Sequence, residues 1–284
     1  PRRHSAVRSA PDGQELSCVA EGRFPSWEPA FRLSTSRHLQ SSLMPKLLFL
    51  SLRNGPVGPA VSHAEYHDTL RATGLSTNDI ELRSISDETS KLGSLDGVSG
   101  IFVGGSSLNI TDEEYSPWQK HVHEILAELV EGDIPVFFVC YGISWLTHHL
   151  GGLVGHTHPE TSGPTIVSTL PAAEEDPLMA GLPKLFTALT GHTENPLAAP
   201  KGATLLAEGP SCPVQILRYR DHVWATQFHA EMDAAAMKTR MDFYYDYGYF
   251  PQAEYDTIVA GLPSVDTTTA NALVKRFAEF CLER

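Results

Sequence analysis

From Pro45 onward the apolar and polar positions fall into an alternating strand–helix rhythm. Leu47–Leu52 is a short apolar run that reads as a buried strand, and residues 60–73 read as a helix closed by Gly74. Ile80–Ile85 alternates, and Val98–Val103 runs into Gly104-Gly105; both read as strands. Trp118, Val122, Ile125, Leu126, Leu129 and Val130 recur at helical spacing behind Pro117, which a first turn tolerates, and Gly132 ends that helix. Val136–Val139 is a β-branched and aromatic strand, followed by a helix over Gly142–Leu150 that Gly151-Gly152 stops.

Such βαβα order predicts a mostly parallel central sheet with helices on both faces. After Gly152 the pattern changes to strands with short turns: Thr165–Leu170, Leu185–Leu189, Thr204–Ala207, Val214–Arg218 and Val223–Gln227. The last two flank Arg220-Asp221 and predict a hairpin; together these strands predict a small added antiparallel sheet. Helices return around Ala234–Tyr247 and in a final segment striped by Leu273, Val274, Phe277, Phe280 and Cys281.

Residues 1–44 break the rhythm. They are rich in Arg and Ser, and two readings compete: a transit peptide, opposed by Asp12, Glu15, Glu21 and Glu28, or an unstructured leader ahead of Met44. The second is preferred, which leaves 45–284 as the folded domain. The net charge of −13, with no basic stripe, repels phosphate backbones and argues against nucleic acid as a partner. The longest apolar run, Ile134–Tyr141, is too short to span a bilayer, so no membrane association is expected. Cys18, Cys140, Cys212 and Cys281 are scattered without a CxxC pair, which favours a reducing, cytoplasmic compartment.

Three places carry candidate chemistry. Cys140 ends a buried strand and begins a helix, the geometry of a nucleophile elbow, and Gly142 permits the tight turn. The helix dipole favours a thiolate there, and the Tyr141 N–H would face a developing oxyanion. A buried structural cysteine is the commoner alternative. His229 and Glu231 lie two apart in an extended segment, so a carboxylate can fix and activate the imidazole, although a solvated pair would look the same. Gly104-Gly105-Ser106-Ser107 follows a strand directly and lets backbone N–H groups approach a ligand; no Gly-Lys-Ser/Thr follows, so it is not a phosphate loop. His148, His149, His156, His158 and Glu160 match no metal-site spacing, and neither metal nor cofactor is expected.

The joint order of these motifs is the stronger signal. With Phe-Val-Gly-Gly-Ser-Ser, Val-Cys-Tyr-Gly, His-His-Leu-Gly-Gly, Thr-Gly-His-Thr-Glu (190–194), Ala-Thr-Gln-Phe-His-Ala-Glu (225–231) and Gly-Tyr-Phe-Pro (248–251), the stretch from Pro45 to Arg284 resembles the class I glutamine amidotransferases. Within that family it is similar to a stand-alone GMP synthase glutaminase domain. The resemblance implies a flavodoxin-like fold and a Cys140–His229–Glu231 triad that attacks the glutamine amide through a thioester. It implies oxyanion donors at Gly105 and Tyr141, and substrate contacts at Gly104, Ser144, His192, Thr193 and Glu194. No Ser-Gly-Gly-x-Asp-Ser loop is present, so ammonia would pass to a separate synthetase subunit.

The sequence departs from the family at Phe138, where a Gly is usual and a bulky side chain would crowd the turn. It departs at Ser144, where a Gln usually holds the substrate, and at Ala230, where a Pro is usual. A γ-glutamyl peptidase or hydrolase acting on other γ-glutamyl compounds, and a catalytically degenerate binding protein, are therefore the alternative functions.

Overall fold

The structure is a computed structural model, and it describes residues 47–284; the leader expected over 1–44 lies outside the described residues. The order along the chain begins β1 (Leu47–Ser51), α1 (Gly58–Thr73), β2 (Ile80–Ser84), β3 (Gly100–Val103), α2 (Pro117–Glu131), β4 (Val136–Val139) and α3 (Tyr141–His149). It continues with β5 (Val154–Gly155), β6 (Glu160–Thr169), β7 (Leu185–His192), β8 (Asn195–Pro196), β9 (Ala203–Glu208), β10 (Ile216–Tyr219) and β11 (Val223–Thr226). Helices α4 (Ala234–Phe243), α5 (Tyr255–Gly261) and α6 (Thr268–Leu282) close the chain.

Nine strands form one sheet in the order β2-β1-β3-β4-β11-β10-β9-β6-β7. The first five are parallel to one another, and from β10 onward the pairing is antiparallel. The separate antiparallel sheet is the pair β5–β8, while the other late strands extend the main sheet. Both faces of the parallel half are covered, which is why β1, β3 and β4 are buried at every position instead of alternating. One face carries Phe49, Phe102 and Phe137 against Phe277 of α6; the other carries Ile101, Val103 and Phe138 against Leu126 of α2 and Trp145 of α3.

Local chemistry sets the ends of these elements. Ser116 accepts the Gln119 N–H ahead of Pro117, capping α2, and Asp233 accepts the Ala236 N–H, capping α4. Gly74 closes α1 in the left-handed conformation. Helix α4 stops at Phe243, short of the Tyr247 that the sequence suggested, because the chain turns into a run of tyrosines that stack on one another: Tyr244 lies edge-on to Tyr247 and Tyr249.

Parallel pairing has a direct consequence for the site. Strands β3, β4 and β11 point the same way, so their carboxyl ends meet on one edge of the sheet. Residues remote in sequence, after Val103, Val139 and Thr226, are delivered to one place. At the end of β4 the chain turns through Cys140 with φ 54°, a left-handed value that is uncommon for any residue but glycine.

The expectation that Phe138 would crowd this turn is corrected. Phe138 points to the face opposite Cys140 and packs on Trp145, filling the space that Gly142 leaves empty. A Cβ on Gly142 would stand 2.5 Å from the Phe138 Cβ, so the two residues are complementary. No described helix is long and apolar enough to cross a membrane.

Gly142→Ala should therefore destabilise the protein by about 1–3 kcal/mol through overpacking, despite the better helix propensity of Ala. Chemical denaturation checks this, and Phe138→Ala should cost less in the Gly142→Ala background than in the wild type. Strict additivity of the two substitutions would show that they do not share the space.

Candidate active site

Cys140 sits at the end of β4, on the sheet edge that Gly105 and His229 also reach. Its own N–H is tied to Thr226 O of β11 at 2.8 Å, which fixes the turn. The His229 backbone N–H donates to Leu189 O at 2.8 Å, anchoring the histidine to β7. Closeness is measured by Gly105: a Cβ there would lie 3.3 Å from His229 Cε1 and 3.1 Å from Arg53 Nη2. The sequence-predicted pair is formed, with His229 Nδ1 donating to Glu231 Oε1 at 2.8 Å while both residues are buried. Behind them the loop is clamped by α1 and α6, since Arg71 donates to Glu231 O at 2.6 Å and Asn271 to Ala230 O at 2.7 Å and Met232 O at 3.0 Å.

Electrostatics favour a charged imidazole. Burial pulls the His229 pKa down, but the Glu231 carboxylate and a hydrogen bond to Cys140 more than offset this and hold it up at about 10. The ring is thus an imidazolium at neutral pH, facing the sulfur on one side and a carboxylate on the other. By linkage its contribution to stability is fully present below the ordinary histidine value of about 6.5 and is lost as pH rises through about 10.

Cys140, His229, Gly105 and Tyr141 line one open cavity together with Ser144. His192, Thr193 and Glu194 line it as well, so these sequence candidates are brought together. Two of the three have committed side chains. His192 is held at Nε2 by Glu160 (2.8 Å) and at Nδ1 by Glu194 O (2.9 Å). The Glu194 carboxylate accepts from the backbone N–H groups of Ile110 (2.9 Å) and Thr111 (3.1 Å), which ties the loop after β3 to the end of β7. Gly104 is the exception among the candidates and is corrected. Its N–H is spent on Leu50 O at 3.0 Å, and a Cβ there would stand 2.9 Å from Phe49 Cζ, so it supports the wall without facing the cavity.

Sequence reasoning missed the other wall. Arg53 directly follows β1 and one further residue, and it donates from Nε and Nη2 to Glu65 of α1, while its Nη1 donates to Tyr244 Oη at 2.9 Å. Arg240 of α4 donates to the same Glu65 at 2.6 Å. Arg53 and Arg240 line the cavity, as do Tyr244 and Tyr249. A lone charge beside an apolar strand was the available signal at Arg53, but its partners lie on helices that periodicity cannot place in space.

Among the described residues, one cluster could offer metal ligands: Glu160, His192 and Cys212, whose ligand atoms lie within 4.8 Å of one another. The Glu160 carboxylate already accepts from Thr165, Thr190, His192, Ser211 and Gln215. Burial pushes the Cys212 thiol up to about 12, away from the thiolate a metal needs. The cluster is a hydrogen-bond hub that holds His192.

Comparison with known proteins fits this geometry. The family model described as glutamine amidotransferase class-I matches residues 62–244. The chain is 30% identical over 179 residues to a subunit of the glutamine-hydrolyzing GMP synthase of Thermoplasma volcanium, covering 61% of this chain and 78% of that protein. It is 31% identical over 133 residues to the glutamine-hydrolyzing GMP synthase of Thermomicrobium roseum, where the match covers 47% of this chain but only 23% of that protein. The fold is similar to that of a glutamine amidotransferase from Thermotoga maritima, with TM-score 0.68 and 19% identity over 85% of this chain and 100% of the other. It is also similar to a glutamine amidotransferase from Methylobacillus flagellatus, with TM-score 0.63 and 17% identity over 84% and 95% of the two chains.

If the Glu231 carboxylate raises His229, Glu231→Gln should let the His229 pKa fall from about 10 toward the ordinary value of about 6.5. Ring-proton NMR titration of His229 checks this. A titration unchanged in the variant would show that the carboxylate is not the cause.

Proposed function

The chain belongs to the class I glutamine amidotransferase family, and from that premise we propose that it hydrolyses the glutamine side-chain amide with Cys140 as nucleophile. The observation that carries the reading is the strained Cys140 turn beside a buried His229–Glu231 pair. Cys140 Sγ attacks the amide carbon, and the tetrahedral oxyanion is met by the N–H groups of Gly105 and Tyr141. Tyr141 begins α3, so its N–H has no partner within the helix, and Gly105 N–H donates to no backbone carbonyl among the described residues.

Cys140 attacks as the thiolate whose proton His229 holds as an imidazolium; His229 gives that proton to the departing nitrogen, and ammonia leaves a glutamyl thioester. Water, activated by the now neutral His229, hydrolyses the thioester to glutamate. Glu231 keeps the imidazole in one orientation throughout. Ser144 and the His192–Glu194 stretch face the glutamyl half of the substrate; the committed side chains of His192 and Glu194 position this wall, and Thr193, which is exposed, remains open to contact. Residues 45–284 form the amidotransferase domain with its C-terminal helices. Likeness to a protein that is one subunit of a GMP synthase supports passage of the ammonia to a synthetase on another chain.

The test is release of ammonia and glutamate from glutamine, with Cys140→Ala as the control. Release by the wild type should drop to background in the variant. Equal rates in the two proteins would remove Cys140 from the reaction.

A further inference from the structure

Three side chains from three parts of the chain close on one point beside Gly105. A Cβ there would stand 3.1 Å from Arg53 Nη2, 3.3 Å from His229 Cε1 and 3.6 Å from Glu65 Oε1. Gly105 therefore fills the gap between the His229 ring and the Arg53–Glu65 pair, and a glycine alone leaves room for both. Its two neighbours are stitched to the end of β1. Gly104 N–H donates to Leu50 O at 3.0 Å, and Ser106 Oγ to Leu52 O at 3.0 Å. Arg53 directly follows Leu52 and continues that seam to Gly105 itself.

Arg53 is held from root to tip. The first turn of α1 packs on its backbone, since a Cβ on Gly58 would stand 3.2 Å from Arg53 C. Its Nε donates to Glu65 Oε2 at 3.1 Å, its Nη2 to Glu65 Oε1, and its Nη1 to Tyr244 Oη at 2.9 Å. Paired donation to one carboxylate fixes the plane of the guanidinium. Burial pushes the Glu65 carboxyl up, but Arg53 and Arg240 outweigh it and hold it below its usual value, so the clamp stays charged at neutral pH. Joining helices does not account for Arg53. Arg240 Nη1 already ties α4 to Glu65 of α1 at 2.6 Å. Arg53 is a second cation on a carboxylate that has a partner, and it is only 5% exposed. Burying such a group is costly. What it adds is the contact with Gly105.

We propose that Arg53 is a positioning residue for the reaction, which fixes Gly105 so that its N–H meets the oxyanion formed by attack of Cys140. This role rests on the glutaminase reading, because the oxyanion arises only if Cys140 attacks an amide. No bond is made or broken at Arg53. The oxyanion exists in the transition state and not in the bound substrate, so misplacing its donor lowers kcat and spares KM. A displacement of about 1 Å can cost about a hundredfold in rate.

The experiment measures kcat and KM for glutamine with the full chain and with Arg53→Lys. Lysine keeps a positive charge that pairs with Glu65 but lacks the planar fork that reaches both Glu65 and Gly105. We expect kcat to fall by about tenfold to a hundredfold, with KM within about twofold of the wild type. Alkylation of Cys140 by iodoacetamide passes through no oxyanion and reads the thiolate alone, so its rate should stay within about twofold. Arg53→Met, which removes the charge as well, should lose at least as much kcat. Wild-type kcat in Arg53→Lys would overturn the role, because charge without the fork would then suffice. A raised KM at unchanged kcat would overturn it in favour of substrate binding. Alkylation that slows in step with kcat would overturn it in favour of a displaced Cys140 or His229. Each of these leaves the glutaminase reading intact, whereas no ammonia release by the wild type would overturn both.

Discussion

The reaction proposed for this protein depends on holding one residue, Cys140, in a backbone conformation it would not choose. A left-handed non-glycine residue costs roughly 1–3 kcal/mol and persists only where its surroundings over-determine it. Those surroundings are visible on each side of the turn. Before it, β4 is hydrogen-bonded on both flanks by β3 and β11, and Cys140 N–H continues the ladder to Thr226. After it, Gly142 lets α3 descend onto Phe138 with no room for a side chain. Parallel pairing supplies the same edge for Gly105 and His229, so the register that strains Cys140 also assembles the groups around it.

A second constraint is the distribution of buried charge. The chain is acidic overall, with a net charge of −13, yet the wall of its cavity carries two guanidiniums against one shared carboxylate. Burying such groups costs several kcal/mol each unless they are paired, so their presence beside Cys140 marks a place where stability is given up for a local field. The cluster also has a mechanical role. Through Glu65 it joins the end of β1, helix α1 and helix α4.

The sequence made the parallel half of the fold legible because each of its elements leaves a local trace. The buried run Val136–Val139 and the stripe from Trp118 to Val130 are read from period alone. Helix α5 left only a faint trace: it is seven residues long, and its apolar Tyr255, Ile258 and Val259 are half-buried at the edge of a cluster. The continuity of the antiparallel strands with the main sheet was equally hidden, since the pairing of β11 with β4 joins segments far apart in the chain. The same division holds in the site. Cys140 and the His229–Glu231 pair were legible as motifs, whereas Arg53, Glu65 and Arg240 meet only through tertiary packing. Phe138 was visible as a departure, but its harmlessness depends on the face it takes, which a single residue does not declare.

One further link explains how the substrate side of the cavity is kept in shape without a Gln at position 144. Glu160 gathers five donors and fixes His192 at one nitrogen, while Glu194 O fixes the other. Glu194 then uses its carboxylate to hold Ile110 and Thr111, and so sets the height of the loop that begins at Gly105. A chain of hydrogen bonds thus runs from the sheet, through β7, to the loop that begins with the residue proposed as an oxyanion donor. Preorganisation of this kind matters more to the transition state than a flexible side chain reaching for the ground-state substrate, because its cost is met during folding and not at the moment of reaction. Ser144 in place of the family's Gln therefore leaves the arrangement on which the proposed reaction relies in place.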